Sequence, residues 1–173
     1  MGHQLSGANI GVLGYGRLGK IFCKQLEGFG ANIYVCEKDI SIKVPSKYNQ
    51  VSIDDLFTIS DAVVLHIHAD HDNNKIISSD LLKTTKKGFY LVNTSRGEIV
   101  CEEAIADLIQ TGHLSGYATD VLAHEFDDIT DSPILRLFDS GKYNVIITPH
   151  VGGMTYEGQE KAFLYALNKY SFS

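Results

Sequence analysis

Short runs of apolar, β-branched residues alternate along this chain with longer stretches in which apolar residues recur at helical spacing. That alternation is the signature of βαβ units, in which a helix follows each strand of a parallel sheet and returns the chain to the same edge. Residues 9–13 read as a first strand, 18–27 as a helix closed by Gly28 and Gly30, and 33–36 as a second strand. Residues 45–50 read as a connection. Ser52 followed by Asp55 has the pattern of a capping box that starts a short helix at Ile53, and 62–67 is apolar enough for a buried strand. A short helix is expected at 79–82, a strand at 89–93 and an amphipathic helix over 102–110 that stops at Gly112. Two more strands fall at 117–121 and 145–148, a short helix over 133–138 lies between them, and 156–170 reads as a final helix. The fold class implied is α/β, a doubly wound parallel sheet. No repeat, low-complexity tract or Pro/Gly/Ser-rich linker divides residues 1–173, so one domain is expected.

Composition narrows the class of partner. With 173 residues, 44% of them hydrophobic, the chain can bury a core without help from disulfides or metal. Its 15 Lys and Arg against 21 Asp and Glu give a formal charge of -6, which repels a phosphate backbone and argues against nucleic acid. The opening residues lack the basic start and long apolar stretch of a secretion signal, and runs such as 62–65 are too short to cross a bilayer. A cytoplasmic protein with no membrane partner is the expectation. Cys23, Cys36 and Cys101 are odd in number and widely spaced, with no CxxC, which speaks against a disulfide framework or structural zinc site and for buried free thiols.

Candidate chemistry begins where the first strand meets the first helix. Gly14, Tyr15, Gly16, Arg17, Leu18 and Gly19 form a GxGxxG turn there, the place where backbone N–H groups and the positive end of a helix meet a pyrophosphate. The first glycine permits the tight turn, the second lets the cofactor approach the backbone, and the third lets helix and strand pack closely. Glu37 ends the second strand, where an acid grips the ribose hydroxyls of NAD and disfavours the extra phosphate of NADP. Together these point to a Rossmann-type dinucleotide-binding domain with NAD as cofactor.

A second set of residues follows. Leu91, Val92, Asn93, Thr94, Ser95, Arg96, Gly97, Glu98, Ile99 and Val100 run on to Ala104, Leu108 and Gly112-His113-Leu114. Ala118-Thr119-Asp120-Val121 comes next, with Glu125 five residues after Asp120, then Thr148-Pro149-His150-Val151-Gly152-Gly153. In this order the segments resemble the signatures of the D-isomer-specific 2-hydroxyacid dehydrogenases, and the likeness runs from about Leu5 to the last helix. The resemblance implies hydride transfer between NAD(H) and a small 2-hydroxy or 2-keto acid.

It also implies roles. His150 matches the family's acid/base, a group that can both give a proton to a keto oxygen and remove one from a hydroxyl. Glu125 matches the carboxylate that fixes the tautomer of that imidazole and favours its charged form. Arg96 matches the guanidinium that binds the substrate carboxylate and polarises the keto oxygen. Asp120 matches a contact to the nicotinamide end, Thr94 and Ser95 match positions beside the cofactor, and Gly152 and Gly153 complete the His150 motif. The loop carrying His66 and His68 matches one that lies against the cofactor, with His68 where a proline is usual. Taken singly, each residue has a bland alternative: Arg96 a surface ion pair, Asp120 a cap, His150 a loop histidine. His66, His68 and His71 also invite a metal site, but no carboxylate stands at a firm ligand spacing from them.

Members of the family are about twice this length, with a second domain that binds substrate, so the expectation is a coenzyme domain that binds NAD and is a weak or inactive catalyst by itself. The resemblance further implies a homodimer and leaves the identity of the hydroxy acid open. A second reading is a nucleotide-sensing interaction module, because the same fold serves dehydrogenase-like corepressors and fold does not fix function.

Overall fold

In the computed structural model, which describes residues 2–69, 74–126 and 128–170, strand and helix alternate along the whole chain. β1 (Asn9–Leu13) leads into α1 (Arg17–Leu26), then β2 (Asn32–Cys36), β3 (Asn49–Gln50), α2 (Ile53–Ile59) and β4 (Ala62–Leu65). α3 (Ser79–Lys83), β5 (Phe89–Asn93), α4 (Glu102–Gln110), β6 (Leu114–Thr119), α5 (Pro133–Ser140), β7 (Val145–Ile147) and α6 (Tyr156–Tyr170) complete it. Among the described residues seven strands form one sheet in the order β3-β2-β1-β4-β5-β6-β7, all pairings parallel. That is the Rossmann order. The chain leaves β1 towards opposite edges of the sheet, so a crevice opens outside the carboxyl ends of β1 and β4, where sheets of this kind bind their ligands.

The pleat explains how the strands are covered on both sides. Ile10 and Val12 of β1 pack with Ile33 and Val35 of β2 against Cys23 and Leu26 of α1. Leu13 joins Val63 and Leu65 on the other face, under Leu56 and Phe57 of α2. Leu56 and Phe57 are completely buried, each contributing about 1.5–3 kcal/mol of apolar transfer. Ser52 caps α2 by accepting from Asp55 N at 3.1 Å. The second arm differs from a capping box: Ser52 Oγ donates to Asp55 Oδ2 at 2.7 Å. Aspartate is one methylene shorter than the Glu or Gln that reaches back to the cap's own amide.

Four expectations need correction. The stretch expected as a plain connection contains β3, whose exposed Asn49 and Gln50 pair with Tyr34 and Val35. β4 stops at Leu65, although Ile67 still packs on the core. β6 begins at Leu114 and ends at Thr119, three residues earlier than expected at its start, because Gly116 belongs in the strand where Tyr90 and Asn144 crowd it. Of the three cysteines only Cys23 is buried, with burial pushing its thiol up to about 11; Cys36 and Cys101 are half-buried. Among the described residues no helix is long and apolar enough to cross a membrane.

Candidate active site

The sheet places the candidate residues before their chemistry is considered. Gly14 follows β1, Glu37 follows β2, His66 follows β4, residues 94–96 follow β5, Asp120 follows β6 and residues 148–150 follow β7. All therefore lie along the carboxyl edge, although they come from six separate stretches of chain.

At the glycine turn each residue meets a distinct requirement. Gly14 has φ +98°, and a Cβ there would fall 2.6 Å from His66 O. A Cβ at Gly19 would overlap the Gly14 carbonyl, whereas one at Gly16 meets no protein atom within 4 Å. The turn thus closes tightly on itself at its ends and is open in the middle, where a pyrophosphate must approach. Arg17 and Leu18 are exposed in the first turn of α1, which carries no acidic side chain to oppose an anion. Glu37 joins this turn: Oε2 accepts from Tyr15 N at 2.6 Å and Oε1 from Asp39 N at 2.9 Å. The acid at the end of β2 is oriented by the turn itself, and these residues fit the adenosine and pyrophosphate of a dinucleotide.

On the other side of the crevice His150 and Glu125 meet. His150 Nδ1 lies 2.7 Å from Glu125 Oε1, and Glu125 Oε2 accepts from Leu122 N at 3.3 Å. The imidazole is 40% exposed and the carboxylate 16%, so the pair is seated on protein while the ring still reaches solvent. An ionised carboxylate only accepts, so Nδ1 carries the hydrogen and Nε2 is left to exchange a proton.

His150 itself has φ +52°, an uncommon left-handed conformation for a residue with a Cβ. Asp120 holds it there. Its Oδ1 accepts from Thr148 Oγ1 at 2.5 Å and Val151 N at 3.0 Å, and its Oδ2 from Gly152 N at 2.8 Å. A Cβ at Gly152 would sit 2.9 Å from that oxygen, while Gly153 is unobstructed. Burial raises the Asp120 carboxyl, but the bonds from Thr148, Gly152 and Val151 and the neighbouring His150 outweigh it and hold the group below the usual carboxylate range. Most of the capacity assigned to a nicotinamide contact is thus engaged by the 148–152 loop.

Arg96 is presented by a turn that Asn93, outside the candidate set, closes. Asn93, completely buried, accepts from Ser95 N at 3.0 Å and donates to Arg96 O at 2.9 Å. Ser95 is buried as well, its hydroxyl donating to Leu65 O at 2.8 Å, so it staples β5 to β4. Thr94 and Arg96 are exposed, and Arg96 Nη1 folds back on Ser95 O at 2.8 Å. An Asn at the end of a strand, ahead of a turn, is the sequence signal that marks Asn93.

The histidine loop departs from its expected face. The His66 ring packs on Phe22 with centroids 5.2 Å apart, and both its nitrogens are buried without a partner. It contributes to the glycine turn through its carbonyl. Burial lowers its pKa, which keeps the ring neutral. His68 is exposed, and His71 lies outside the described residues. Among the described residues no group of three potential ligands could hold a metal ion.

A Rossmann sheet with a glycine turn open at its switch point, and a histidine–carboxylate pair across the same crevice, defines a dinucleotide-binding domain of the dehydrogenase class. A family model described as D-isomer specific 2-hydroxyacid dehydrogenase, NAD binding domain, matches residues 1–152. The chain is 33% identical over 166 residues to the D-3-phosphoglycerate dehydrogenase of Mycobacterium tuberculosis, a match covering 93% of this chain and 30% of that protein. It is 36% identical over 161 residues to the D-specific alpha-keto acid dehydrogenase of Enterococcus faecium, covering 89% and 49% respectively. It superposes on the D-lactate dehydrogenase of Aquifex aeolicus, solved with NAD and lactic acid, at a TM-score of 0.84 and 27% identity, over 97% of this chain and 54% of that one. The chain belongs to the D-isomer specific 2-hydroxyacid dehydrogenase family and carries its NAD-binding domain. It spans between 30% and 54% of the length of these three relatives. Nothing in these matches supports the nucleotide-sensing alternative.

Proposed function

We propose that this domain binds NAD(H) and serves the reversible reduction of a 2-keto acid to a D-2-hydroxy acid, with His150 as the acid/base, Glu125 as its partner and Arg96 as the anchor for the substrate carboxylate. The observation that carries the reading is the 2.7 Å contact between His150 and Glu125 at the carboxyl edge shared with the glycine turn. Gly14, Gly16, Arg17, Leu18, Gly19 and Glu37 would hold the adenosine and pyrophosphate end, while residues 94–95, Asp120, Gly152 and Gly153 border the other end. His66 meets the turn through its backbone carbonyl, and the exposed His68 lies two residues further along the same loop. Bound there, NAD(H) supplies or accepts the hydride at the substrate's C2. His150 gives its Nε2 proton to the developing alkoxide in reduction and takes the hydroxyl proton in oxidation, with Glu125 stabilising the imidazolium in between. Arg96 must leave Ser95 O to pair both guanidinium edges with substrate.

Arg96 and His150 are both open to solvent, so the site as this chain forms it has one wall. Turnover by the chain alone is therefore expected to be weak, because water is not excluded from the developing charge. We further read the protein as cytoplasmic and, by resemblance to the family, as a homodimer. The test is fluorescence titration with NADH, followed by a screen of small 2-keto acids, with Arg96→Ala as control. Micromolar NADH binding with turnover lost in R96A supports the proposal; no NADH binding overturns it. Size-exclusion chromatography with light scattering at micromolar concentration tests the dimer.

A further inference from the structure

One buried carboxylate lies outside the set just described. Glu102, the first residue of α4, is 4% exposed. Its Oε1 accepts from Ala123 N at 2.8 Å and its Oε2 from Ser132 Oγ at 2.7 Å. Ser132 is itself buried and caps α5 by accepting from Leu135 N at 3.3 Å. One side chain therefore ties together the start of α4, the start of α5 and the loop that follows β6. Taking a carboxylate out of water is costly unless its lone pairs are filled, and an apolar side chain would cover the same space at no such cost.

What the loop does explains the placement. The peptide between Leu122 and Ala123 is gripped from two sides. Glu102 takes its N–H, and on the other side Gly97, the residue after Arg96, packs so closely that a Cβ there would overlap Leu122 C, Leu122 O and Ala123 N. Leu122 N in turn donates to Glu125 Oε2, and Glu125 Oε1 meets His150. A continuous path of contacts runs from Glu102 through the two consecutive peptides that share Leu122 to the acid/base pair, and the second of them is the surface against which the Arg96 turn rests.

We propose that Glu102 is a positioning residue that fixes the 122–125 loop, and with it Glu125, at the distance from Arg96 and His150 that proton transfer requires. The proposal rests on the dehydrogenase reading of the site, but its test does not require turnover. In the uniformly 15N-labelled chain, long-range proton–nitrogen spectra report which nitrogen of His150 carries the hydrogen. With Glu125 in place that nitrogen is Nδ1. Glu102→Leu, close in volume and unable to accept a hydrogen bond, should release the loop and lower the ratio of the Nδ1–H to the Nε2–H form by about fivefold or more. Glu125→Gln provides the reference for a pair that has lost its charge. Glu102→Gln keeps one oxygen for Ala123 N and can donate to Ser132, so it should restore the wild-type ratio.

A residue that only holds the fold together would lower the melting temperature and leave the His150 tautomer unchanged in the folded protein, and that result overturns the proposal. Should E102L fail to fold, Ser132→Ala frees one carboxylate oxygen and carries the test: a partial shift at His150 supports the role, and an unchanged tautomer refutes it. NADH titration of the same samples keeps the two readings apart. Wild-type protein that does not bind NADH defeats the dehydrogenase reading whatever His150 does, while normal NADH binding with an unmoved tautomer in E102L defeats the role of Glu102 alone.

Discussion

The carboxylate of Asp120 ties down the chain on both sides of His150, accepting from the Thr148 hydroxyl before it and from the Val151 and Gly152 amides after it. Between these anchors His150 is kept in a left-handed conformation, which costs on the order of 1–3 kcal/mol and persists only where the surroundings over-determine it. The candidate acid/base is thus aimed by backbone strain that another residue offsets.

That relationship sets the first prediction. In Asp120→Asn the amide nitrogen cannot accept from Gly152 N, and unfolding by urea at pH 7 should show a loss of about 1.5–3 kcal/mol, the worth of a hydrogen bond to a charged group. The sign of the pH effect follows from the lowered carboxyl of Asp120. Its stabilisation is present above the unfolded-state value of about 3.9 and is lost as pH falls through the lower folded value. Urea titrations between pH 5 and 2.5 should therefore be shallower for the Asn variant; parallel curves would count against the clamp.

His66 gives a limb nearer neutrality. Its nitrogens are buried without partners and burial depresses its pKa, so the folded state resists protonation. Stability tied to this ring is full above the unfolded value of about 6.5 and is lost as pH falls through the folded one. His66→Leu should be neutral or more stable by about 1 kcal/mol at pH 7.5, since an unsatisfied buried group costs about 1–3 kcal/mol. It should also flatten the decline between pH 6.5 and 5. Denaturation curves at three pH values decide it.

Two glycines of one turn should behave differently. Gly19→Ala drives a Cβ into the Gly14 carbonyl, and both melting temperature and NADH affinity should fall, the latter more than tenfold. Gly16→Ala meets no protein atom, so its melting temperature should match the wild type while NADH affinity alone declines. Equal thermal losses in both variants would contradict the assignment of Gly16 to the cofactor's path.

Glu37 should set the choice of cofactor. A 2'-phosphate about 4 Å from its carboxylate meets repulsion on the order of 1–4 kcal/mol, so NADH should bind roughly tenfold to a thousandfold more tightly than NADPH. Glu37→Ser should narrow that ratio. It should also weaken NADH itself, because the same carboxylate orients Tyr15 N in the glycine turn. Competition titrations with both cofactors separate the two effects.

The fold was readable in the chain wherever burial imposes a period. β1, β5 and α4 fall on the residues the apolar pattern predicts, since each presents buried positions to the core, and α6 falls on its expected residues too although its apolar side chains are exposed. β3 left no such mark: its two residues are polar and exposed and are a strand only by pairing with β2. The displacement of β6 has a similar origin, because Ser115 and Gly116 lack the bulk that signals a strand and are placed by Tyr90 and Asn144.

In the site, the residues carried by motif all reach the carboxyl edge, but the motif did not say how they are held. Asn93, Thr148 and Glu102 act through bonds that are local only for Asn93. The partners of the other two are remote in sequence, and no spacing rule announces a carboxylate that reaches an amide on a different element. Ser95 and His66 show the converse: both stand next to the crevice, yet their side chains turn inwards to β4 and α1.

The interior position of β1 has a cost in time. Ile10 must pair with Ile33 on one side and with Ala62 on the other, and each partner reaches it only after a helical crossover has formed. A ribosome therefore releases a strand that will lie inside the sheet long before both its neighbours exist. Refolding should be slow for a chain of this size, on the millisecond-to-second scale of proteins dominated by distant pairings, and dilution during that interval guards the bare apolar strand against other copies of itself.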